Sequence, residues 1–349
     1  MRLDWEKLLL PALALLFGLG AALVLASVLG ENPFHVLVVL LRGSMGTPTD
    51  FGYSLFYATP LMFTGLSVAW AFRAGLFNIG AEGQMSLGGV TLAACGILFS
   101  SLPPVVAWPV ALVLTFLVGG LWGALAGVIK AKRGCHEVLT TILLNFVAFG
   151  ISGFFILSVL KNPNSQVPET APVGPGFEIP ALPAWIGGSS PANWSVVFAV
   201  VLILLYGFVM QRTRLGFHQR MAGSAAEVGR RAGLNMDRQI ILAMFISGGF
   251  AACAALSPVL GFMLKAREGF TAGAGFMGVA VALLGRNSPL GIILSALLFG
   301  FLTKGALDLD LDTQYVSRDL AVVIQALVVA AVASHVGLAR LFQRWRVRP

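Results

Sequence analysis

A bilayer admits only segments that satisfy their own backbone hydrogen bonds, and a helix needs about 20 consecutive apolar residues to cross it. This chain is built of runs of that kind. Ten can be traced, at residues 8–29, 53–72, 85–101, 105–129, 138–160, 195–210, 240–256, 273–284, 291–305 and 320–336. The eighth and ninth are short, which suits helices that are broken or buried within a bundle. With 57% hydrophobic and only 11% charged residues, the chain lies far from the about 25% charged residues of soluble domains. The expected fold is an all-α polytopic membrane protein of about ten transmembrane helices, some short or broken. Residues 1–349 form a single membrane domain on this reading.

The first run, residues 8–29, is longer than a signal-peptide core and lacks a small-x-small cleavage site before Glu31, so it reads as a retained span. Charge decides orientation. With the N-terminus inside, the inner segments are 1–7, 73–84, 130–137, 211–239, 285–290 and 337–349. They hold 17 of the 23 Lys and Arg and leave 6 outside. That is the positive-inside pattern and puts both termini in the cytoplasm. The net charge of +8 therefore comes from short loops between spans, which excludes a nucleic-acid docking patch. Outside, residues 33–43 are too brief to span and lie along the interface or re-enter. Residues 161–194, rich in Pro, Gly, Ser and Asn, form an irregular periplasmic loop. Residues 257–269 interrupt the membrane pattern and read as partly re-entrant, and the alternating LDLDLD run to Asp312 reads as a solvated turn.

Polar residues inside this apolar chain mark the candidate sites. FRAGLFNIGAEGQMSLGG, Phe72 to Gly89, sets Asn78, Glu82 and Gln84 among five glycines where one span ends and the next begins. Such residues persist at membrane depth where they face protein or a water-filled path. They line a broken segment of a solute path, or they cap helix ends in a tight cytoplasmic hairpin. In HEVLTTILLNF, Thr140, Thr141 and Asn145 enter an apolar helix, with Thr141 and Asn145 on one face. Bonding back to their own backbone and lining of the path are both open. Gly119, Gly123 and Gly127 form a small-residue stripe for close helix packing, against a neighbouring span or a second subunit. Near an inner boundary, Arg286 is an anchor and Pro289 a helix breaker.

The inner loop 211–239 is basic, with arginines at 212, 214, 220, 230, 231 and 238. A short helix over residues 221–231, stopped at Gly233 and followed by a new element at Asn235, would suit docking of a soluble partner. Contact with anionic lipid headgroups fits the same composition. Catalytic and metal-binding patterns are missing. The chain has no GxxxxGK[ST] phosphate loop, no HExxH, no GxSxG and no carboxylate pair inside a span. His35, His136, His218 and His335 are scattered, as are Cys95, Cys135 and Cys253, so no metal is expected. If the chain transports a solute uphill, the energy has to come from elsewhere.

Four stretches, FNIGAEGQMSLGG, HEVLTTILLNF, AGLNMDRQIILAMFISGGFAA and GVAVALLGRNSPLGIILSALLFG, together resemble the permease subunits of bacterial ABC importers. The group includes branched-chain amino acid and ribose-type sugar permeases. The similarity is closest to the nucleoside (simple sugar) permeases and covers about residues 53–302. It implies a bacterial inner-membrane complex. A second permease subunit, a paralogue, completes the pore. A separate ABC ATPase carries ATP and magnesium, so this chain has no cofactor and is no enzyme. An extracytoplasmic substrate-binding lipoprotein delivers solute. The resemblance also assigns the coupling segment to Gly223, Glu227, Arg230, Arg231, Gly233 and Asn235. Gly229 and Arg230 depart from the family pattern, which has alanine and an acid there.

Nucleosides are the expected solute and pentoses or other simple sugars the nearest alternative. A stand-alone channel or a polytopic membrane enzyme is the competing class.

Overall fold

The computed structural model describes residues 26–313 continuously, with a few positions on either side between 20 and 330. The expected first and tenth spans, His335 and the two chain ends fall wholly or mostly outside the described residues.

The described chain is helical, and its β-type pairing is limited to isolated bridges such as Glu169 with Arg267. In order come α1 (Pro33–Met45), α2 (Pro48–Arg73), α3 (Ala81–Leu98), α4 (Pro104–Arg133), α5 (Glu137–Phe154), α6 (Ser195–Arg212), α7 (Arg214–Ser224), α8 (Ala226–Arg231), α9 (Met236–Cys253), α10 (Ala274–Leu284) and α11 (Pro289–Asp312). Two π-helical segments, Phe155–Val159 and Leu256–Met263, prolong α5 and α9. Among the described residues six helices are long and apolar enough to cross a membrane: α2, α4, extended α5, α6, extended α9 and α11. At the third and eighth expected spans stand α3, whose first turn carries Glu82 and Gln84, and α10, which has 11 residues.

Helix ends follow local chemistry. Thr47 caps α2 by accepting from the Asp50 amide at 3.1 Å, with Pro48 in the first turn. Ser288 and Pro289 repeat the device at α11. α2 is the central helix, 78% of its most apolar window being buried, against 22% for α5 at the periphery. α4 packs on α9 through small residues: Gly123 lies against the backbone of Met244 and Gly248, and a methyl at Gly127 would come within 2.9 Å of Ile241 Cα. The partner of the glycine stripe is thus a helix of the same chain. Lipid offers no hydrophobic drive between helices, so contact this close must come from backbone approach.

Three local expectations change. Residues 257–263 carry α9 onward as a π-helix, so the break in the helical pattern falls after Met263. The LDLDLD run is helical to Asp312, since Lys304 one turn earlier neutralises Asp308 at 2.6 Å. The basic segment 211–239 holds two helices instead of one, parted at Ala225.

Candidate functional site

The α2–α3 junction gathers most of the polar residues that stand out in the sequence. Past Arg73 the chain turns at Gly75, whose φ of +73° glycine adopts without strain. Residues 77–79 then run non-helically before α3 begins at Ala81. Asn78 sits at the centre of the gap. Its amide nitrogen donates to Gln84 Oε1 at 2.9 Å and to Ser247 Oγ of α9 at 2.8 Å, and its oxygen accepts from the Gly80 amide at 2.9 Å. Ser247 in turn donates to the Ser67 carbonyl of α2 at 2.8 Å. Asn145 reaches in from α5, donating to the Ile79 carbonyl and accepting from the Gly83 amide, both at 2.9 Å.

Glu82 points the other way, towards α10. Its two carboxylate oxygens accept from the Gly273 amide at 2.9 Å and the Gly275 amide at 2.6 Å. Those amides belong to the cap and first turn of α10, where unpaired donors and the helix dipole favour an anion. Thr141 bonds back to the Glu137 carbonyl at 2.8 Å and Thr140 to the His136 carbonyl at 3.2 Å. Asn78, Glu82, Gln84, Thr141 and Asn145 are buried and bonded, and Thr140 is half-exposed. The chain thus brings Asn78, Gln84 and Asn145 into one network, with Glu82 beside it as a strap to α10.

The basic segment abuts this junction. Gly223, near the end of α7, packs so closely that a methyl there would lie 2.6 Å from the Gly75 nitrogen. Beyond it, Glu227 pairs with Arg230 at 2.9 Å and Arg231 at 3.5 Å, with all three side chains more than 60% exposed. Gly229 is buried under Met221 and Met236, Gly233 takes a φ of +85°, and Asn235 caps α9 by accepting from the Arg238 amide at 3.0 Å. The α10–α11 turn joins the same end. Arg73 and Tyr206 both donate to the Asn287 carbonyl at 3.0 Å. Arg286 and Asn287 both hold left-handed backbone, a strained choice for non-glycine residues.

Two charged clusters at the opposite end were not singled out in the sequence. Lys304 of α11 is buried and bonded to Asp308 at 2.6 Å and to Asp50 of α2 at 3.3 Å. The signal for half of it was present: Lys and Asp four residues apart in an apolar helix. In the loop after α5, Glu169 accepts from Lys265 and Arg267, both at 2.8 Å. The Lys265 bond, with Arg267 behind it, lowers that carboxyl to about 2. Among the described residues no group of three or more His, Cys, Asp or Glu could hold a metal ion.

The family described as branched-chain amino acid transport system / permease component matches residues 51–340. The chain belongs to this permease family. Similar relatives include the guanosine ABC transporter permease protein NupP of Bacillus subtilis, 33% identical over 94% of each chain. The nucleoside ABC transporter permease protein NupB of Lactococcus lactis is 30% identical over 86% of this chain and 84% of its own. The glucose ABC transporter permease protein TsgB13 of Haloferax volcanii is 29% identical over 97% and 89%. This permease is accordingly a multi-pass inner-membrane subunit of an ABC importer.

Proposed function

We propose that this permease carries nucleosides inward, paired with a second, paralogous permease subunit. It would be driven by a separate ABC ATPase and supplied by an extracytoplasmic lipoprotein receptor. The reading takes ten spans with both termini cytoplasmic, so that α7, α8 and the Arg286 turn face the ATPase. The substrate class leans on the guanosine and nucleoside relatives, which align over most of the chain. A simple sugar is the second reading, favoured by the similarity to the glucose permease.

One observation carries the mechanism: Gly223, beside the exposed Glu227–Arg230–Arg231 surface, meets Gly75 backbone to backbone. Force on α8 would reach the junction without an intervening flexible side chain. From there the covalent chain leads through Asn78 to Glu82, and Glu82 holds the start of α10. ATP-driven closure of the ATPase would bias the pair between inward- and outward-open forms through this route. The junction residues Asn78, Glu82, Gln84, Thr140, Thr141 and Asn145 would border the path, shut in the present conformation because their polar atoms are engaged with protein partners.

The test is Arg230→Glu with Arg231→Glu in the reconstituted complex. Both changes set acids beside Glu227 on the exposed surface. Membrane insertion should persist while ATP hydrolysis no longer drives uptake. Unchanged uptake would remove α8 from the docking surface. Purification of the tagged chain should also retain an ATPase with phosphate-loop motifs and a second polytopic chain; a chain that purifies alone and conducts solute unaided is a channel.

A further inference from the structure

Where α2 begins, away from the basic segment, Tyr53, Phe56 and Tyr57 recur at the spacing that puts them on one helix face. All three are half-buried. Phe262, on the π-helical extension of α9, is 54% exposed and meets Phe56 edge-on with ring centroids 5.3 Å apart. Phe56 and Tyr57 are themselves 5.5 Å apart. Below the rings lies the Lys304 cluster, with the ammonium 6.0 Å from the Tyr53 ring centroid. Asp50 and Asp308 keep 24% and 29% of their side-chain surface open.

Two features separate this face from an ordinary lipid-facing surface. Neither the Tyr53 nor the Tyr57 hydroxyl has a hydrogen-bond partner among the described residues. Two partly open carboxylates stand against one ammonium, leaving negative charge in excess. Hydrocarbon disfavours both, so the face opens on water or on a polar solute. Open aromatic rings beside hydroxyls and carboxylates are complementary to a flat base joined to a sugar. The rings supply stacking, and the oxygens supply partners for ring and sugar hydroxyls.

We propose that this face is a solute-contact surface for an uncharged nucleoside. Phe56, Tyr57 and Phe262 take the base; the Tyr53 and Tyr57 hydroxyls with Asp50 and Asp308 take the sugar. The assignment rests on the nucleoside-import reading. The surplus carboxylate adds a filter, since a phosphate monoester would be repelled where the free nucleoside is accepted.

The experiment measures tritiated guanosine binding to the receptor-free permease–ATPase complex in nanodiscs, alongside receptor-driven guanosine uptake by the same complex in vesicles. Losing the stack in Phe56→Leu with Phe262→Leu should weaken binding about tenfold or more. Tyr57→Phe keeps the ring and removes one hydroxyl, for a loss of about threefold, and serves if the double variant does not assemble. Guanosine monophosphate should compete about tenfold more weakly than guanosine. Wild-type import with no receptor-free binding, or with unchanged affinity in Tyr57→Phe and the double variant, overturns the surface and leaves the import reading standing. A wild-type complex that imports no guanosine overturns that reading and the surface with it.

Discussion

The two polar regions of α2 differ in one respect that separates architecture from availability. At its C-terminal end every polar side chain singled out in the junction has a protein partner: Asn78 with Gln84 and Ser247, Asn145 with Ile79 and Gly83, Glu82 with α10. At its N-terminal end the phenol hydroxyls are unbonded and the carboxylates of Asp50 and Asp308 are partly open. A buried polar group without a partner is costly, so the junction cluster is closed by necessity. An open polar group in a membrane chain persists only beside water or a ligand. Polarity in an apolar sequence therefore marks both a joint and a contact surface, and bonding state tells them apart.

The sharpest way to break this contrast is Asn78→Leu set against Tyr57→Phe. The first strips the partners of Gln84 and the Gly80 amide in a sealed space, at about 1–3 kcal/mol for each group left unpaired. Thermal unfolding in detergent should show a large loss of stability or no assembled protein. Tyr57→Phe should leave unfolding within about 0.5 kcal/mol of wild type. Equal effects would mean that the two ends are built alike. Asn145→Leu comes next. Losing its bonds to Ile79 and Gly83 should cost about 2 kcal/mol and slow transport while assembly survives; wild-type uptake would confine Asn145 to packing. Glu82→Gln is milder, because an amide oxygen can still accept one of the two α10 amides. The lost charge at a helix start should cost about 1 kcal/mol, read as a small fall in unfolding temperature with the fold intact.

These contrasts were only partly legible in the sequence. Apolar runs announce helices, and glycines four residues apart announce close packing, because both are local periodicities. Asn78, Glu82, Gln84 and Asn145 stood out as polar residues among apolar ones. What they touch did not, since Glu82 meets an amide 191 residues away. The same distance problem hid Lys304. Its local spacing to Asp308 was visible and, left unpaired, let the LDLDLD run read as a turn; its second partner, Asp50, lies on another helix. Tyr53, Phe56 and Tyr57 were hidden differently: aromatic residues are ordinary in a span, and only the missing hydrogen-bond partners distinguish them.

The smallest expected effect lies off α2, in the loop after α5, and extends the same logic to a bonded charge near water. Glu169 is held by Lys265 and Arg267, which lower its carboxyl to about 2, well below the usual carboxylate range. A carboxylate with a lowered folded pKa stabilises the fold above its unfolded pKa. That contribution is lost as pH falls from about 4.5 towards 2, where the folded carboxyl also takes up its proton. The ion pairs tie Glu169 to Lys265 and Arg267, so their loss weakens the hold of the 161–194 loop on the segment after α9. Pepsin nicking of that loop in proteoliposomes should rise as pH is lowered through this window. Glu169→Gln should be nicked readily already at pH 4.5 and show a flatter dependence below it. A wild-type loop cut equally across the window would mean that backbone pairing, such as the Thr170 amide to the Ala266 carbonyl at 2.9 Å, holds it without the charges.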